Sequence, residues 1–353
     1  MSQARFTRRL ALTLTLPLLS ASALGLVSCN KTEPEPEPDV TLVLAAYSAT
    51  RDVFERGLLP AFEAHYLART GKRLRVRASY LASGAQSRAV ASGFPADVVA
   101  LALAPDIARI QKAGLIKGDV RAHGKNGSFA TTIVALAVRP GNPKGIHDIG
   151  DLARPGLEVL MPNPKTSGGA MWNVSALWAA AMGGHAGFAA NDRKASEDWL
   201  RAVLANVVIM DKAARESLIS FEKGVGDVAV TYESEVFAGR AAGRTYDLVI
   251  PTSTIIVTAM AAVVDVNADK HGVRAEADAF VDYLSSKEAQ DILATYGFRS
   301  EDLDVARAHE RDFPAVVAPV RIEDLGGWER VTPELFGNDG IFAKAWDRVY
   351  AAP

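Results

Sequence analysis

Ser167-Gly168-Gly169 is the spacing in this chain with the clearest chemical use. A strand reading over Leu157 to Met161 runs through Pro162-Asn163-Pro164-Lys165-Thr166 into an apolar stretch, Met171 to Met182, at helical spacing. Ser167 falls at the helix N-cap. The first amides of a helix have no acceptor inside it, and the macrodipole adds partial positive charge there. Glycine has no Cβ, so an oxyanion can reach the main chain directly. The same residues also suit plain helix capping, and what separates the two readings is recurrence. Ser83-Gly84 follows a strand over Leu74 to Tyr80, and Ala214 follows a strand over Asn206 to Met210. If the three junctions converge, they make a cage of uncharged N–H donors for a small oxyanion.

The elements that must position these junctions alternate. Val40 to Ala46 reads as a buried strand, and Thr50 to Arg69 as an amphipathic helix with Val53, Leu58, Leu59, Phe62 and Tyr66 on its inner side. Further strands are expected at Ala96 to Ala102, Thr131 to Val138, Val228 to Tyr232 and Thr254 to Val264, with later helices over Arg274 to Leu284 and Lys287 to Tyr296. Such alternation predicts an α/β protein with a mostly parallel sheet, whose ligands bind beyond the carboxyl ends of the strands. With 353 residues and 49% hydrophobic content, two lobes are expected.

Composition removes several function classes. The formal net charge is -2 and no long block of like charges occurs, so nucleic acid is not an expected partner. The six histidines, His65, His123, His147, His185, His271 and His309, show no paired ligand spacing, and neither a metal nor a cofactor is expected. A secreted hydrolase or transferase on an α/β scaffold is the competing class. It lacks a Gly-x-Ser-x-Gly elbow and a Walker-type loop here.

The first residues read as targeting. Arg5, Arg8 and Arg9 precede an apolar run, Leu10 to Val27, and Leu26-Val27-Ser28-Cys29 resembles the lipobox of bacterial lipoproteins. Residues 1–28 are expected as a signal peptide and 29–39 as a lipidated Cys29 with a Glu/Pro tether. Arg8-Arg9 leaves twin-arginine and general secretory export both open. Cys29 is the sole cysteine, so no intramolecular disulfide can form.

Over Val40 to Phe342 the chain resembles the sulfate and thiosulfate periplasmic binding proteins of ABC importers. The resemblance is carried by Pro162 to Trp172, Ala96 to Leu103, Arg139 to Lys144, Gly224 to Val228 and Gly326-Gly327-Trp328. It implies a two-lobed type II periplasmic-binding-protein fold, with two crossing strands near Thr131 to Val138 and Thr252 to Val264 and the anion in the cleft. Lobe 1 is expected over 40–130 plus 257–353, and lobe 2 over 131–256. By motif position the ligand residues are Ser83, Ser167, Gly168, Gly169, Ala214 and Tyr232. Four places depart from the family pattern: Ser48 stands for a supporting Asp, Ala85 for a Lys, Glu216 for a Gly and Tyr232 for a Trp. Gly84, Arg51 and Arg215 belong to the same surroundings. The family implies a monomer that closes by a hinge on sulfate or thiosulfate and is read by a membrane permease. Phosphate, molybdate or tungstate, and a sensor-coupled receptor, are the alternatives. An inward-pointing Glu216 would favour a protonated oxyanion such as hydrogen phosphate, because sulfate has no proton to donate.

Overall fold

Val40–Tyr47 (β1) is apolar but for Thr41, and Leu42, Leu44, Ala45 and Ala46 are fully buried. A strand reads this way when helices cover both faces of a parallel sheet. The computed structural model describes residues 37–350. The expected leader, Cys29 and the tether up to residue 36 lie outside the described residues.

The helix expected over Thr50 to Arg69 comes in pieces. A single turn, α1 (Arg51–Val53), passes through a wide π-type turn at Phe54–Leu58 into α2 (Leu59–Thr70). Pro60 has no N–H to bond the carbonyl one turn back, and the wide turn absorbs that mismatch. Gly71, at φ 71°, closes α2 in the left-handed conformation that Cβ-bearing residues avoid.

The next elements are β2 (Leu74–Leu81), α3 (Ser83–Ala91), β3 (Val98–Leu101), α4 (Ala104–Lys112), β4 (Ser128–Val138), β5 (Val159–Pro162) and α5 (Gly168–Met182). There follow α6 (Arg193–Ala205), β6 (Val207–Asp211), α7 (Ala214–Glu222), β7 (Val228–Tyr232), α8 (Glu233–Ala241), β8 (Asp247–Val249) and β9 (Ser253–Val263). The chain ends with α9 (Asp265–His271), α10 (Arg274–Tyr283), α11 (Lys287–Thr295), α12 (Leu303–Ala308), β10 (Ala318–Val320), α13 (Gly327–Phe336) and α14 (Ile341–Tyr350). The strands read from the sequence are all present. The two additional ones, β8 and β10, have three residues each, too few to show a period.

The strand order is β2-β1-β3-β9-β4-β7-β5-β6, with β10 on β9 and β8 on β4. Pairing is parallel within each half, where β1 lies between β2 and β3 and β5 between β6 and β7. The joint between the halves is antiparallel. The first part of β4 pairs with β9, its second part, Val134 to Val138, pairs with β7, and the far end of β9 pairs with β3. These two 11-residue strands stand where the crossings were expected. The last two helices, placed with the first lobe in the sequence reading, lie against α5 and α6. Tyr350 donates to the carbonyls of Leu204 and Val207, Arg193 pairs with Glu334 at 2.9 Å, and the Trp328 ring meets Trp172 edge-on at 4.7 Å. Their apolar faces find cover on that half.

Candidate functional site

Three helices begin at one place. α3 starts at Ser83 where β2 ends, α5 starts after Ser167, and α7 starts at Ala214 after Ala213. The first amides with helical acceptors are Gln86 onto Ala82, Met171 onto Ser167 and Ser217 onto Ala213. The earlier amides of Ser83, Gly84, Ala85, Gly168, Gly169, Ala214, Arg215 and Glu216 therefore have no acceptor in their own helix.

The glycines show how closely the three starts approach. A Cβ on Gly168 would lie 3.0 Å from Leu103, 3.1 Å from the Ser83 Cβ and 3.2 Å from the Ala102 Cβ. One on Gly169 would lie 3.0 Å from the Ala214 Cβ and 3.3 Å from both the Ser167 Oγ and the Tyr232 hydroxyl. Gly84 is packed on the Thr166 carbonyl, 3.0 Å from where its Cβ would be. Ser83, Ser167, Gly168, Gly169, Ala214 and Tyr232 are thus brought together, and all are buried.

The two serines have different tasks. Ser83 Oγ donates to Asp106 Oδ2 at 2.6 Å and accepts from the Ala102 amide at 2.9 Å, so the group Ser83 could offer a ligand in this buried seat is its peptide N–H. Asp106 is held in turn by Arg109 at 2.7 Å. Ser167 Oγ accepts from the Ala170 amide at 3.3 Å as the N-cap, which leaves its own proton to donate. The Tyr232 hydroxyl is buried without a hydrogen-bond partner among the described residues. Burial raises its pKa well above the ordinary phenol value, so it remains protonated and a donor. Trp172 Nε1, on α5, donates to the Ala102 carbonyl at 2.7 Å, binding the two halves beside the seat.

The other expected positions, Gly84 apart, line a vestibule together with Thr166 and Lys212. Ser48, Arg51, Ala85, Thr166, Lys212, Arg215 and Glu216 line an open cleft of about 640 Å³ over the buried seat. Glu216 is exposed in the first turn of α7, a position the helix dipole favours for an acid. Arg51 lies over the Tyr80 ring at 4.9 Å. Arg215 bridges the halves, with Nη2 2.9 Å from Asp52 on α1 and Nε 3.2 Å from Glu235 on α8. The sequence reading did not single out Asp106, Glu235 or Tyr47. None of the three lies within a Ser-Gly junction, and only the tertiary fold brings them near.

Glu235 is fully buried, and burial pushes its carboxyl up to about 7 against the opposing pull of Arg215. Its folded pKa lies above its unfolded one, so the stabilisation this group gives is complete below the ordinary carboxyl range and is lost as pH rises through about 7. Relative to Glu235→Gln, the wild-type protein should therefore lose about 3 kcal/mol between pH 4 and 8. Denaturant titrations of both proteins across that range check this, and parallel pH profiles would reject it.

Among the described residues no cluster of His, Cys, Asp and Glu is placed to hold a metal ion. No helix among them is long and apolar enough to cross a membrane.

A family model described as bacterial extracellular solute-binding protein matches residues 42–299. The chain is 40% identical over 314 residues to the sulfate-binding protein of Synechococcus elongatus, covering 88% of this chain and 87% of that one. It is 37% identical to the sulfate-binding protein of Escherichia coli K12 and 33% identical to that organism's thiosulfate-binding protein, each over 86% of this chain and at least 90% of the relative. The solved structure of the sulfate-binding protein SubI from Mycobacterium tuberculosis H37Rv superposes with a TM-score of 0.74 at 35% identity, covering 84% of this chain and 99% of that one.

Proposed function

We propose sulfate, with thiosulfate as the near alternative, as the solute of this chain, which belongs to the bacterial extracellular solute-binding protein family. The family is not enzymatic, and the chain is a binding protein. The observation that carries the choice of anion is the meeting of three helix starts at one buried place. The donors there are peptide N–H groups, the Ser167 hydroxyl and the Tyr232 phenol. Ser83, Gly168, Gly169 and Ala214 serve through their amides. Such donors stabilise a dianion without a counter-charge, because each is already oriented and none needs to be desolvated as an ion.

Glu216 lines the open cleft and is exposed, whereas the donors are buried, a placement that favours a fully deprotonated anion over hydrogen phosphate. The printed names of the relatives support the same reading. Residues 40–130 plus 257–326 and residues 131–256 would move as lobes about β4 and β9, with α13 and α14 travelling with the second. The closed monomer, tethered outside the cytoplasm by lipid on Cys29, would deliver its anion to an ABC permease. Calorimetry with sulfate, thiosulfate, molybdate, tungstate and phosphate tests this. Sub-micromolar binding of sulfate or thiosulfate is expected, and tight binding of phosphate alone would overturn it.

A further inference from the structure

We propose that Tyr47 is an anion-binding residue, its hydroxyl donating to the same bound oxyanion as that of Tyr232 from the opposite half of the chain. The inference rests on the seat assigned above and adds a ligand group to it.

Tyr47 ends β1, in register with Leu81, the residue before Ala82 and the start of α3. Its neighbour Ala46 is in register with Ala100 on β3, close to the Ala102 that a Cβ on Gly168 would meet. The turn that follows, Ser48–Thr50, lies against α7. The starts of α3 and α7 therefore lie beside this end of β1, and Ala102, which a Cβ on Gly168 of α5 would meet, follows the neighbouring β3. Tyr47 is 4% exposed and Tyr232 1%, and both belong to the same buried cluster.

Neither hydroxyl has a hydrogen-bond partner among the described residues. A buried hydroxyl left without an acceptor is costly, and two such groups, near enough for Tyr47 to act on Tyr232, point to a shared acceptor. The Ser83 hydroxyl next to them makes the contrast, with both its donor and acceptor roles filled by protein. The Tyr232 hydroxyl lies 3.3 Å from the Cβ position of Gly169, which fixes its direction toward the helix starts. Burial raises both phenols; the nearby Glu235 carboxyl, which makes no hydrogen bond to either, raises Tyr47 further, and Tyr47, Glu235 and Asp106 raise Tyr232 further. Both stay neutral donors at physiological pH. A phenol donating to a dianion makes a charge-assisted bond, stronger than a neutral pair.

The test is calorimetry on wild type, Tyr47→Phe, Tyr232→Phe and the double variant, with melting temperatures of the ligand-free proteins. Sulfate is the probe, or whichever anion of the panel above the wild type binds. Tyr47→Phe should weaken binding about 10- to 100-fold. Its ligand-free melting temperature should hold or rise, because the change removes a buried hydroxyl that has no protein partner. The double variant should lose both factors. Affinity within twofold of wild type in Tyr47→Phe overturns the inference while leaving the sulfate reading intact. A fall in the ligand-free melting temperature also overturns it, since the hydroxyl would then be structural. A wild type that binds none of the five anions removes the seat itself, and this inference with it.

Discussion

Gly168→Asp is expected to abolish sulfate binding, with a loss of at least about a thousandfold. Two effects add. The new Cβ would press on Leu103, Ser83 and Ala102 at 3.0 to 3.2 Å, so the start of α3 would have to give by a few tenths of an ångström. The carboxylate would then stand beside a dianion. At about 4 Å and an effective dielectric near 20, one pair of like charges costs about 4 kcal/mol, itself about a thousandfold in affinity. Gly168→Ala carries the steric part alone and should lose only about tenfold. Calorimetry on both variants, with a melting curve to show that each is folded, separates crowding from charge. Wild-type affinity in Gly168→Asp would falsify the seat.

The second large effect is on stability. Arg215 is the counter-ion to a carboxylate, Glu235, that is 0% exposed, and it also reaches Asp52 across the joint. Removing one partner of such a pair leaves a charge in the interior without compensation, at a cost of about 3–5 kcal/mol. Arg215→Met should therefore lower the unfolding free energy by about that amount at pH 8, where Glu235 is ionised. Much of the loss should return in the Arg215→Met/Glu235→Leu double variant, which removes both charges. A single variant that costs under about 1 kcal/mol would show the pair to be incidental. Arg215 is the residue after Ala214, so the same variant also loosens the link between the amide proposed to donate to the anion and the opposite half. Faster sulfate release in stopped-flow measurements is the expected companion.

The helix starts were legible because their signal is local. A serine or a small residue between an apolar strand and an apolar helix is enough to expose free amides, and Ser83, Ser167 and Ala214 were all found that way. The strands were legible because β1, β3, β5 and β7 are continuous apolar runs, as strands covered on both faces must be. The break in the first helix was signalled by Pro60 but is visible only with the π-type turn in place. What the sequence hid is what packing decides. Asp106 accepts the hydrogen bond of the Ser83 hydroxyl only because α4 lies against α3. Tyr47 follows the strand read over Val40 to Ala46, and nothing nearby in sequence marks its hydroxyl as buried. Glu235 sits in a first helical turn, where acids are ordinarily exposed, and only the covering elements make it interior.

The double crossing of β4 and β9 has a consequence for how the protein is made. Strand β3 has its second neighbour in β9, which follows all of β4 to β8 along the chain. A polypeptide that emerges N-terminus first must therefore present β1 to β3 with an open edge until β9 arrives. The later half pairs β4 to β8 within one uninterrupted stretch, and only the first part of β4 waits for β9. The earlier-made half is the last to be completed, and β3 is the edge a holdase chaperone would have most reason to shield.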